Sequence, residues 1–185
     1  ADEIRRLRDK GVIGIFNGGD ANCWGLNGPV FYVMGKTIGD PDLNENELVN
    51  EYCHGVYGEA GEQMVDFFEH LYRGPARRNK LLPDAPHGES LRARFPPRLI
   101  SDLEDLLKKA ESVGVSGHAA HNLRMTRIAL DFLQLTTHMW LAYETFQVAP
   151  TPASLADLRK RVDAFEDFRH MILHMDPDDA RRRFP

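Results

Sequence analysis

The densest group of chemically capable side chains lies in one short loop, Asn17-Gly18-Gly19-Asp20-Ala21-Asn22-Cys23-Trp24-Gly25. It combines amides, a carboxylate and an indole. Sugar rings ask for that mixture: polar groups pair with hydroxyls, and an aromatic face covers the apolar C–H side of the ring. The same residues also suit a plain structural turn with Trp24 packed in a core.

A second group is histidine-based. His170 and His174 are four residues apart, and Glu166 is four before His170. On a helix they share one stripe that could present two imidazoles and a carboxylate. His118 and His121 are three apart near a helix start. Neither pair belongs to a His-Glu-x-x-His motif, and the Glu166 stripe lies off the apolar face. A solvated surface is the better reading, and no metal or cofactor is expected.

The third group is a polar stripe of Arg124, Arg127, Asp131, Gln134 and His138 along the longest helical segment. Such groups do not stay buried without partners. Two readings are open: an internal ion-pair network, or a docking face whose interface residues are Arg124, Arg127 and Asp131. No Walker loop is present, and Gly11, Gly14, Gly18 and Gly19 do not form a spaced dinucleotide fingerprint. No serine–histidine–acid set follows from spacing.

The elements that must position these groups are mostly helical. Ile4 to Lys10 has the character of a helix end, broken at Gly11. Val12-Ile13-Gly14-Ile15-Phe16 is a short, β-branched apolar run that predicts a buried strand, closed by the turn chemistry of residues 17–20. Helix end, strand, glycine-rich loop and new helix make the rhythm of a β/α unit. Helices are then expected over about Pro29–Ile38, and from the N-cap Asn44 to near Gly55, with Glu47 completing a capping box and Leu43 and Leu48 a staple. A third carries Ala60, Met64, Phe67, Phe68 and Leu71 on one face and stops at Gly74-Pro75. Residues 74–97, with five prolines and several arginines, read as a long loop, either plain packing or disorder, or a cover for a site. Helical spacing resumes at Leu99, Leu103, Leu106, Leu107 and Ala110. The longest helix follows, about His118–Gln147, apolar on most sides and so expected at the centre. Ser154 is expected to cap a last helix with Leu155, Leu158, Val162, Phe165 and Ile172 inside, and the tail from Asp176 to fray.

Composition narrows the classes. A chain of 185 residues with 42% hydrophobic residues suits one domain, or one domain plus part of another, with a packed core. A net charge of −5 argues against nucleic acid as a partner, and no apolar run is long enough to suggest a membrane span. Two cysteines, Cys23 and Cys53, make neither a disulfide framework nor a multi-cysteine zinc site. They read as free thiols and leave the compartment open.

Over its first 75 or so residues the chain resembles a known group. GVIGIFNGGDANCWGLNGPVFYVMGK followed by DPDLNENELVNEYCHGVYG is similar to the end of the (β/α)8 barrel in bacterial proteins related to the α-glucuronidases. More closely, it resembles a glycoside-hydrolase-like family whose barrel is followed by an α-helical C-terminal domain. The matching features are Val12 to Phe16, Gly18-Gly19, the run Phe31-Tyr32-Val33-Met34-Gly35-Lys36, Asp40-Pro41 and Tyr57-Gly58. LEDLLKKAES and the arginine-bearing long helix are similar only in type. The loop reads Asn22-Cys23-Trp24 where α-glucuronidases carry Asn directly before Trp.

The resemblance implies a mainly α fold: an irregular α-helical bundle preceded by one strand and helix like the last β/α unit of a (β/α)8 barrel. Residues 1–40 would be the terminal barrel segment, and 41–185 the helical domain with its loop at 74–97. It implies that the paired carboxylates of glycosidase chemistry would lie on barrel strands before Ala1, and that Asp20, Asn22 and Trp24 would be supporting substrate contacts. The expected function is then a helical support domain with a sugar-contacting loop, not catalytic as this chain alone. Carbohydrate would be met through the rest of the barrel, and the unpaired strand would tend to self-associate. The alternative is a free-standing helical protein-interaction module.

Overall fold

The structure is a computed structural model that describes residues 2–14, 24–76 and 94–174, with backbone alone at Trp24 and at 73–76. Its α-helices are α1 (Asp2–Asp9), α2 (Trp24–Gly39), α3 (Glu45–Tyr57), α4 (Gly61–Ala76), α5 (Pro97–Glu111), α6 (Gly117–Val148) and α7 (Pro152–Leu173), with a single 3₁₀ turn, Gly58–Ala60, between α3 and α4. The fold is mainly α, as the periodicity predicts.

The expected strand is the main departure. Among the described residues there is no strand. Residues 12–14 belong to no sheet, and Ile13 is fully exposed with Val12 nearly half exposed. Ile15 and Phe16 lie outside the described residues. The Val12 N–H turns back to the Leu7 carbonyl of α1 at 3.0 Å rather than to a neighbouring strand. Gly11, at φ 80°, terminates α1 in the left-handed region that glycine adopts without strain.

Local signals place the helix ends with small shifts. Asn44 caps α3 as expected, but its side chain accepts from the Asn46 N–H at 2.9 Å, and Glu47 meets the Asn44 amide rather than completing the box through the backbone. Gly58, at φ 57°, turns the chain after Tyr57. The cap of α7 is Thr151 rather than Ser154. Ser154 sits at the third helical position and returns the hydrogen bond, so the two hydroxyls form the reciprocal box. α2 begins five residues before the expected Pro29, which is accommodated inside the helix. α4 continues through Gly74-Pro75 to Ala76.

The core is aromatic. Phe68 touches Tyr52, Tyr57, Phe67 and Tyr72, with ring centroids 5.2–6.3 Å apart. Ala60 on the 3₁₀ turn, Met64, Phe67, Phe68 and Leu71 on α4, and Leu99, Leu103, Leu107 and Ala110 on α5 are all buried, as their spacing predicts. Each aromatic ring of this size removes about 150–250 Å² from water. Two of the tyrosines keep a polar handle satisfied inside. The Thr126 hydroxyl gives its proton to the Asn122 carbonyl, so Tyr57, 2.9 Å away, is the donor to Thr126. Tyr72 donates to the Leu26 carbonyl.

The long helix α6 is less enclosed than its composition suggests. Its fully buried residues are Leu123, Leu130 and Ala142, with Thr126 and Thr137. Phe132 is half exposed and Tyr143 is exposed. The reason is architectural: α2, α3 and α5 pack on α6, and α7 folds back along it as a hairpin. α7 contributes no fully buried residue. Its Leu155, Leu158, Phe165 and Ile172 are half-buried, and Val162 is exposed.

Burial also sets an alkaline limit. It raises Tyr52 from 10.0 and Cys53 from 9.0, each to about 12, and raises Tyr57 and Tyr72 as well. A group whose folded pKa is raised lends stability that is complete below its unfolded pKa and is lost as pH rises through the folded one. Urea midpoints should therefore hold to about pH 9 and fall steeply between about pH 10 and 12, and Tyr52→Phe should flatten that fall.

Candidate functional site

The sugar-contact residues proposed from sequence lie at the entry to α2. Asp20 and Asn22 fall outside the described residues, as does the Trp24 side chain; the Trp24 backbone is the first residue of α2. What is described is the seat from which that loop departs. A Cβ on Gly25 would lie 2.7 Å from the Ala129 Cβ, and one on Gly28 would lie 1.9 Å from the Tyr52 hydroxyl oxygen. The first turns of α2 therefore press directly on α6 and α3, which only glycine permits. Pro29 supplies no N–H to the preceding turn, and Tyr72 donates to the Leu26 carbonyl in that same turn. Three elements grip the start of α2. The Gly25–Gly28 spacing was the available signal for this close packing; Tyr52 and Tyr72 as its counterparts were not legible.

The polar stripe of α6 divides. Arg127 is 21% exposed and lies between α5 and α6. Its Nε and Nη2 donate to the two oxygens of Glu111, at 2.9 and 2.8 Å, in a bidentate fork, and Nη1 donates to Glu104. Asp131 is 3.7 Å from the same Nη1, and Lys108 is 3.2 Å from Glu104. Arg124 stands apart: it is exposed and reaches the ring of His121 at 3.4 Å. Of the residues expected at a docking face, Arg127 and Asp131 come together and Arg124 does not join them. Glu104 and Glu111 were missed, although seven residues on α5 is two turns and puts both carboxylates on one face.

Charge within this cluster is uneven, with three carboxylates facing Arg127 and Lys108. Hydrogen bonds that Arg127 donates to Glu111 hold its pKa above its usual value despite partial burial. Burial pushes Glu104 upward, but hydrogen bonds from Arg127 and Lys108 outweigh it and leave the carboxyl below its ordinary 4.5. Asp131 goes the other way: burial raises it above 3.8, and the attraction of Arg127 does not compensate. Chemically the cluster is a clasp, with every nitrogen of Arg127 turned toward a carboxylate of its own chain.

His170 and His174 both stand on the surface, with ring planes 8° apart and centroids separated by 6.2 Å. Glu166, the third member of that stripe, is paired with Arg169 at 2.6 Å. Among the described residues no group of three or more metal-ligating side chains converges. No helix among them is long and apolar enough to cross a membrane. No family model matches the chain, and neither the curated proteins nor the solved structures contain a significant match.

Two variants test the seat of α2. Gly28→Ala should cost about 1–3 kcal/mol in urea unfolding by overpacking against Tyr52. Gly35→Ala, where an added Cβ meets nothing within 4 Å, should stabilise the same helix by about 0.5–1 kcal/mol. For the clasp, Arg127→Ala should cost about 1–2 kcal/mol at neutral pH, between the ranges for exposed and buried pairs. Its effect should shrink in acid. Glu104, with a lowered pKa, lends stability present above 4.5 and lost as pH falls through the lowered value, whereas Asp131, with a raised pKa, gains as it protonates. Asp131→Asn should accordingly be neutral or stabilising at pH 7, measured by the same unfolding assay.

Proposed function

We propose that this chain is a non-catalytic helical support module that packs against a companion domain, and that the companion is the (β/α)8 barrel of a glycoside-hydrolase-like protein. The observation that carries this reading is the apolar segment after α1. Ile13 is fully exposed and Val12 nearly half exposed, in a run that continues apolar through Ile15 and Phe16. A β-branched apolar stretch with no sheet among the described residues is matched to strands supplied from elsewhere. The gripped first turns of α2 add support, because a loop that contacts substrate works best from a rigid base. In this reading Asp20, Asn22 and Trp24 sit at the sugar-facing edge, and the reacting carboxylates belong to the companion.

A second reading, a free-standing helical interaction module, is favoured by a different feature. The α6–α7 hairpin leaves Phe132, Tyr143, Val162, Met171 and Leu173 exposed, more than scattered surface apolar residues require.

The assembly state of residues 1–185 separates the two. For a support module, sedimentation velocity should show open-ended, concentration-dependent association that Ile13→Asp suppresses, and a panel of aryl glycosides should show no turnover. A defined monomer or symmetric oligomer, unchanged by Ile13→Asp, would sink the barrel reading in favour of the interaction module. Turnover abolished by a single carboxylate substitution would overturn both.

A further inference from the structure

We propose that His170 and His174 form a two-imidazole chelate for a divalent first-row transition ion at the C-terminal end of α7. The two rings project side by side from adjacent turns, nearly parallel, and the turn between them is closed: the His174 N–H donates to the His170 carbonyl at 3.1 Å. Residues so placed have Cβ atoms about 5–6 Å apart. Metal–imidazole bonds of about 2.0–2.1 Å then bring both nitrogens to one ion by side-chain rotation alone. Both side chains are exposed, so that rotation meets no packing.

Three other histidines are committed. His54 faces Glu62 at 3.7 Å, His70 faces Asp102 at 3.3 Å, and His121 meets Arg124. His170 and His174 have, among the described residues, no hydrogen-bond or ion-pair partner, only each other. Each neutral imidazole then offers one ring-nitrogen lone pair to a metal ion. Imidazole donors suit copper, nickel and zinc ions, with copper held most tightly.

The helix contributes independently. α7 runs 22 residues, and His174 is its C-cap. Unpaired carbonyls at that end make it the negative pole of the helix, where a cation is favoured. Glu166 stays with Arg169, so the protein supplies two ligands, and water or an added donor completes the shell. Because α7 buries no residue fully, its last turn has little tertiary packing to hold it. A chelate spanning that turn would fasten it.

The test is titration of the full chain with nickel or zinc chloride, read by calorimetry and by amide hydrogen exchange. One saturable site per chain is expected, with slowed exchange confined to the last turns of α7. His170→Gln and His174→Gln should each abolish it, while a His118→Gln/His121→Gln double variant should retain it. Absence of saturable binding would overturn the proposal, as would binding that persists in the His170→Gln/His174→Gln double variant. Circular dichroism of each variant confirms that helix content is unchanged, so a lost site is not a lost fold.

Discussion

Everything described here hangs on the burial of the aromatic cluster around Phe68. Its rings come from α3 and α4, and it is closed by leucines of α5 and α6. Apolar burial is non-directional, so by itself it would permit many arrangements of helices. Direction comes from the hydroxyls. Tyr57 reaches Thr126 on α6, Tyr72 reaches Leu26 on α2, and the Asn122 amide donates to the Val56 carbonyl at 2.9 Å. A buried hydroxyl without a partner costs more than a pair contributes, so these contacts select one register for α6 and one entry angle for α2.

From that centre the structure loosens outward. The clasp of Arg127 ties α5 to α6 with charge where apolar contact thins. Beyond it, α6 continues for the rest of its 32 residues, about 48 Å in all, with α7 folded along it. This hairpin holds together through half-buried side chains such as Phe132 and Phe165, whose rings lie 5.7 Å apart. The structure thus joins a densely packed core to a thinly packed arm.

Legibility followed distance along the chain. Leu99, Leu103, Leu107 and Ala110 could be assigned to a core because a helix repeats every 3.6 residues and the pattern is complete within four turns. The cap at Asn44 was readable for the same reason. Val12 to Gly14 form no strand among the described residues, since strand character in sequence states only what a segment prefers when neighbours exist. On α6, abundant apolar residues predicted a central helix. Along its outer part α6 is covered by a single companion helix, which composition alone does not reveal.

Local physics therefore wrote the helical class, most helix ends and the inward faces of α4 and α5 directly into the sequence, because capping, periodicity and glycine breaks act over one or two turns. Tertiary structure alone decided that Arg127 faces Glu104 and Glu111, that Gly28 makes room for Tyr52, and that His170 and His174 stand exposed side by side. Those outcomes join residues 16 to 24 positions apart or depend on what fails to pack nearby. They are set by how helices cross, a many-body result of burying one shared core.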